Sequence, residues 1–491
     1  MPHVQAPQAR CRFALAHADI TPPVGMYHRM WGAATHERSA GVHRPLRATV
    51  VVLAPRAEEP SAGVSSGDRN GAGTVILAAL DHCLVGEEEL RLLLQPVQDA
   101  TGLPSTAVTV VFSHTHAAGL MTLDRQSLPG GEQIPAYLRS VGERLAELVV
   151  GALARLEPAT LVFGSGRCTL AAFRDQWDES TGQFVCGYDP QQAADDTVLV
   201  ARVTSDAGEV RATIVNYACH PTTLAWDNQR ISPDYIGALR EVVEQATGAP
   251  CLFLQGASGE LGPVEGYVGD VEVADRNGRQ LAYAALSALT ALPPPGTRYD
   301  YAGPVVSGAT IGVWRHKPLT TEALDVLARW QSRRWVIRLD YRAELPTPDG
   351  VADELRRWQA SEAEARVAGD EVRVRDCRAM VERQTRMARR LAQLPPGPSY
   401  PLEVRLWRLG DAAFLAVPGE HYSLLQTALR GRFPGVPLLI ATIAQGWGPS
   451  YLPTRATYGR GIYQESIAIV APGSLERVID EVGRVLAEWW S

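Results

Sequence analysis

"VTVVFSHTHAAG", residues 108–119, decides how the chain is read: the β-branched and aromatic run from Val108 to Phe112 marks a buried strand, and it stops at His114-Thr115-His116. Open α/β sheets hold their ligands at the carboxyl ends of strands, so imidazoles delivered there are candidate site residues. Spaced two apart, His114 and His116 would point to opposite faces of a continuing strand. One is therefore expected to be a direct ligand and the other to line the pocket once the chain turns.

Other strands end in the same way. "ATIVNYACHPTT" (212–223) runs apolar to Cys219 and then presents His220, followed by Pro221, which ends the ladder. "AAFLAVPGEHY" (412–422) breaks at Pro418-Gly419 and places Glu420. "TVILAALDHC" (74–83) ends in Asp81-His82, and Asp81 is expected to orient an imidazole. A single His-x-His pair is commonly an ordinary core or surface feature. Two imidazoles and a carboxylate from three different strand ends form a sensible ligand set for a catalytic Zn²⁺ with one position open to water.

Working outward, strands and helices alternate, which predicts an α/β (or α+β) fold with a mixed multi-stranded sheet core and a strand-end active site. Strands are expected at 47–54, 74–80 and 106–113, and again in "ATLVFGSG", "TVLVARV", "RATIVNYA", "PLEVRLWRLG" and "PLLIATIAQ". Helices are expected near 87–99, 134–155, 234–248 and 474–489. The Gly- and Ser-rich stretch 55–73 reads as a surface loop. From 318 to 396 the chain turns Arg- and Glu-rich with helical spacing, which predicts a charged helical insertion between 1–317 and 397–491. Such an insertion is either a solvated, salt-bridged arm or a lid or dimer contact.

Composition excludes several classes. The 491 residues carry 47 Lys and Arg against 54 Asp and Glu, a net charge of −7, so no basic excess exists to neutralise a phosphate backbone and nucleic acid is not an expected partner. With 46% hydrophobic and 21% charged residues the chain has ordinary globular composition. Seven scattered cysteines without Cys-x-x-Cys spacing argue against a zinc ribbon or a disulfide framework. No apolar run has the length of a signal peptide or a transmembrane helix, so the expectation is a cytoplasmic protein without a transmembrane segment.

Taken together, these motifs resemble the neutral, non-lysosomal ceramidases, zinc amidases that cleave the amide of N-acylsphingosine. The similarity runs from "ADITPPVGMYHRMWG" (18–32) through "HTHAAG", "HPTT" and "ISPDYIG" to "VPGEHY" and "GPSYLPTRATYGRGIY". It implies one zinc per chain, held by His114, His220, Glu420 and Tyr451. It further implies His116 as general acid or base, Tyr463 as donor to the developing oxyanion, and Arg174 in "LAAFRDQWD" as a contact to substrate or oxyanion. A zinc-activated water would then attack the amide carbonyl.

The chain also departs from that pattern. The family's pocket-facing serine is replaced by Gly262 in "SGELGP", with Ser258 four residues upstream and Glu260 adding a carboxylate. No C-terminal immunoglobulin-like domain is expected, and no secretion signal is seen. The resemblance therefore implies hydrolysis of a small-molecule or lipid-like amide other than ceramide, with a homo-oligomer through the helical insertion as a further expectation. The alternatives are a non-catalytic small-molecule-binding relative and a metal-dependent esterase, lactonase or phosphoesterase.

Overall fold

A computed structural model describes residues 2–56 and 73–491, so most of the loop expected at 55–73 lies outside the described residues. Eight strands form the main sheet: β1 (Gln8–Asp19), β2 (Arg47–Ala54), β3 (Val75–Leu80), β4 (Val108–Phe112), β5 (Glu157–Arg167), β6 (Thr197–Ser205), β7 (Val210–Tyr217) and β8 (Cys251–Gln255). Their spatial order is β8-β7-β6-β5-β1-β2-β3-β4. The sheet is mixed, because β3 pairs with β4 and β7 with β8 in parallel while the remaining neighbours are antiparallel.

Each parallel pair requires a crossover, and helices supply it: α1 (Glu87–Thr101) joins β3 to β4, and α3 (Tyr235–Thr247) joins β7 to β8. Both end where the sequence places a left-handed glycine, Gly102 at φ 70° and Gly248 at φ 67°. The helices α2 (Ile134–Ala154) and α4 (Val271–Thr290) complete this layer.

Period-two burial shows how the layers stack. Val50, Val52, Ile76, Ala78, Val110 and Phe112 face α1 and α2, whereas Val51, Leu53, Leu77 and Val111 on the same strands face a second sheet. That sheet has four strands, β9 (Trp330–Asp340), β10 (Ser399–Leu409), β11 (Ala412–Ala416) and β12 (Leu438–Ala441), in sequence order. Trp407 and Phe414 point at the main sheet; Val404, Leu406 and Leu415 point outward, under the helices Leu424–Arg432 and Ser474–Trp489. The architecture is thus helices, sheet, sheet, helices, an α/β fold with mixed sheets as expected.

The segment 318–396 is only partly helical. Trp330–Asp340 is a strand, paired along its whole length with β10. Its Trp335, Ile337 and Leu339 alternate with Arg334, Val336 and Arg338, a strand period hidden by the Arg-rich flanks on both sides. The helical arm proper is a hairpin of Pro348–Ala368 and Glu371–Ala392. No helix among the described residues is long and apolar enough to cross a membrane.

Candidate functional site

The site lies where the loops that follow β3, β4, β7, β8 and β11 meet, at Cys83, His114, His220, Ser258 and Glu420. His114 follows β4 at φ 68°, in the left-handed region. This reversal means the strand does not continue, so His114 and His116 no longer point to opposite faces. Their rings lie 4.9 Å apart, and both line one cavity of about 390 Å³. His220 and Glu420 arrive from β7 and β11, and Glu420 pairs with Tyr451 in a short parallel bridge closed by a 2.8 Å bond from the Glu420 amide to the Ser450 carbonyl. That bridge sets the carboxylate beside the phenol.

Around Glu420 the geometry converges. Its Oε2 lies 3.1 Å from His220 Nε2 and 3.4 Å from His114 Nε2. Tyr451 Oη lies 3.4 Å from His220 Nε2, and His116 Nε2 lies 3.4 Å from His114 Nε2. The ring nitrogens on the far side are held by main chain. His114 Nδ1 donates to the Cys83 carbonyl at 2.8 Å, and His220 Nδ1 donates to the Ser258 and Leu261 carbonyls at 2.6 and 3.1 Å. Both Nε2 lone pairs are thereby aimed at the Glu420 carboxylate, the arrangement by which metal-binding imidazoles are oriented. A tetrahedral ion with bonds of about 2.0–2.1 Å has donor-to-donor edges of about 3.3–3.4 Å, close to the spacing found here. The donor set fits a zinc-sized ion.

Electrostatics agree with a tight cluster. Burial alone would push the Glu420 carboxyl up, but the close approach of the His114 and His220 rings holds it well below the usual range. Burial first, and then the neighbouring His114 and His220, push His116 well below the ordinary imidazole value. Burial, reinforced by the Arg174 charge, lowers His220 to about 4.

Arg174 is buried and does not pair with Asp175 or Asp178; its guanidinium donates to the Gly259 carbonyl at 2.7 Å and to Tyr451 Oη at 3.0 Å. Tyr463, 44% exposed, stands at the cavity rim with its ring 6.0 Å from that of Tyr451. All seven residues singled out in the sequence thus meet in one place.

One other expectation fails. Asp81 orients no imidazole; it accepts from Arg240 and from the Arg47 amide, and the acceptors behind the histidines are backbone carbonyls instead. Glu260 does lie nearby, its main-chain carbonyl accepting the Arg174 amide at 2.9 Å; its carboxylate accepts the Ser423 amide at 2.8 and 2.9 Å, and burial pushes it up to about 7.

Gly262 leaves room for a first side-chain carbon at ordinary contact distance. A Cβ there would lie 3.8 Å from Thr222 Oγ1 and 3.9 Å from both Arg174 Cδ and Tyr267 Oη. Thr222 Oγ1, Tyr267 Oη and Arg174 Nε cluster here, all buried and without a close hydrogen-bond partner among the described residues. Trp31, whose ring lies 5.2 Å from that of His116, completes this wall. None of these wall residues carries a signal in the sequence, because carbonyl contacts are open to any side chain and a lone tryptophan, threonine or tyrosine is usually core.

No protein-family model matches the sequence, and no curated protein is significantly similar to it. Solved structures do resemble it. The neutral ceramidase from Pseudomonas aeruginosa superposes with a TM-score of 0.63 at 16% identity, covering 98% of this chain and 74% of that one. A ceramidase complexed with C2 gives the same score and identity over 99% of this chain and 76% of its own. At that identity the likeness speaks for architecture, and it spans both sheets and the helical arm: the chain has the neutral ceramidase fold.

Proposed function

We propose that the chain is a zinc-dependent hydrolase that cleaves the amide bond of an N-acyl compound other than ceramide. One observation carries this reading: two imidazoles, each locked by its Nδ1 onto backbone carbonyls, aim their Nε2 atoms at one partly buried carboxylate at 3.1 and 3.4 Å. His114, His220, Glu420 and Tyr451 would hold the ion. Zinc at this position would supply a Lewis acid and lower the pKa of water towards about 7.

The chain's own groups divide the remaining work. His116, beside His114, would take the proton of an attacking water and return it to the amide nitrogen as the C–N bond breaks. Arg174 and Tyr463 would donate to the carbonyl oxygen as it becomes anionic, each contributing about 3 kcal/mol. Gly262, where the resemblance calls for serine, is what supports a substrate other than ceramide.

Metal content of the full chain by inductively coupled plasma mass spectrometry tests the reading, alongside assays on N-acyl amide, ester, lactone and aryl phosphate. About one zinc per chain, lost in His220→Ala with the fold retained, and turnover of the amide are expected. No metal after zinc is added back, or unchanged turnover in that variant, would sink it.

A further inference from the structure

The outer wall of the cavity is the helix Glu371–Ala392. Ala379, Glu382, Arg383, Arg386 and Arg390 all line it, at the spacing of one helical face. The helix is seated closely, since a Cβ on Gly32 would lie 3.0 Å from Ala379 Cβ. The arm is therefore no solvated appendage.

Its charges are unbalanced. Glu382 is already engaged by Arg125, through two 2.8 Å bonds, and by Arg386 at 2.6 Å. Arg383 bonds only the Ser466 hydroxyl, at 2.9 Å. Arg390 rests over the Trp447 ring and touches Met387 Sδ, and its buried Nε has no partner. Among the described residues, no carboxylate lies within 4.0 Å of Arg383, Arg390 or Arg174. Four guanidiniums thus face a cavity whose two carboxylates, Glu382 and Glu420, are both occupied, and a bound metal would add to the excess. The opposite wall, with Met30, Trp31, Leu84 and Leu120, is largely apolar.

A purely apolar ligand would bury Arg383 and Arg390 without a charged acceptor, which is costly. A planar guanidinium is matched by a carboxylate. Resting on the hydrolase reading for the reaction, we infer that the substrate carries a carboxylate besides its amide and an apolar chain, and that Arg383 and Arg390 hold it.

The test uses matched pairs on the full, metal-loaded chain. N-lauroylglycine against N-lauroylglycinamide places the charge on the amine side. The monododecylamide of succinic acid against its neutral diamide places it on the acyl side. Both kcat/KM and equilibrium binding, by calorimetry, are measured. The charged member of at least one pair is expected to be preferred tenfold or more, with the ratio falling towards one in Arg383→Gln/Arg390→Gln and surviving in Arg383→Lys. If the double variant does not fold, Arg383→Gln alone is used. Equal or better handling of the neutral members overturns the inference, as does binding of neither. A preference that persists in the Gln variants also overturns it, placing the anion elsewhere. Charge-selective binding without turnover would keep the inference while sinking the hydrolase reading.

Discussion

His220 Nε2 and Glu420 Oε2 lie 3.1 Å apart although 200 residues separate them in the chain. Each residue follows a strand with a parallel neighbour, β7 beside β8 and β11 beside β12, and the two sheets are joined there by Asn216, whose side chain donates to the Ile440 carbonyl at 2.8 Å. The site is therefore a product of topology, and its residues separate by role.

The two tyrosines should respond differently to loss of one oxygen. Tyr451→Phe is expected to weaken metal binding by about tenfold or more, since its Oη sits within the Nε2 cluster. Tyr463→Phe should leave metal content unchanged and lower kcat by about 10²–10³. Metal titration and steady-state kinetics on both variants check the split; equal metal loss in both would remove the distinction.

Gly262→Ser should be tolerated, because the new Cβ meets nothing closer than 3.8 Å. Its hydroxyl would enter the space among Thr222, Tyr267 and Arg174, whose polar atoms lack partners. A stability change between zero and about 1 kcal/mol in the favourable direction is expected. Chemical denaturation would show this, and a loss of more than about 1 kcal/mol would mean the space is not open.

The arm's attachment should be acid-sensitive. Burial alone would raise the Glu382 carboxyl, yet Arg386 and Arg125 lower it from 4.5 to about 2. A depressed folded-state pKa contributes stability that is complete above the unfolded value and is lost as pH falls from near 4.5 through about 2. The shift corresponds to about 3 kcal/mol at neutral pH. The protection of Glu371–Ala392 against hydrogen exchange, relative to the intrinsic rate at each pH, should fall in that window, and Glu382→Gln should remove the dependence.

Asp81 and Arg240 form a buried pair between the end of β3 and α3, joined also to the Arg47 amide. Arg240→Met leaves the carboxylate uncompensated and is expected to cost about 3–5 kcal/mol. Replacing both partners with apolar residues should cost much less. Urea unfolding of the single and double variants distinguishes a structural pair from one that serves the site, since metal content should be unchanged in each folded variant.

Much of this molecule was legible in its residues. Apolar runs broken by histidine, proline or glycine marked the strands and their site-bearing ends, and the recurrence of that pattern at 114, 220 and 420 pointed to a ligand set. Period-two alternation and left-handed glycines likewise marked the main elements. Tertiary structure alone decided the rest. That His114 and His116 share one cavity depends on a left-handed turn at a non-glycine residue, which local preference disfavours and only the surrounding fold imposes. The acceptors behind the imidazoles are carbonyls of Cys83, Ser258 and Leu261, which every residue possesses. Trp330–Asp340 became a strand because β10 offered a full-length partner, overriding an arginine-rich composition. The cationic wall of the cavity arose from packing one face of a charged helix over the strand ends. Side-chain chemistry is written in the sequence, whereas which groups meet, and which are left without a partner, is fixed by long-range packing.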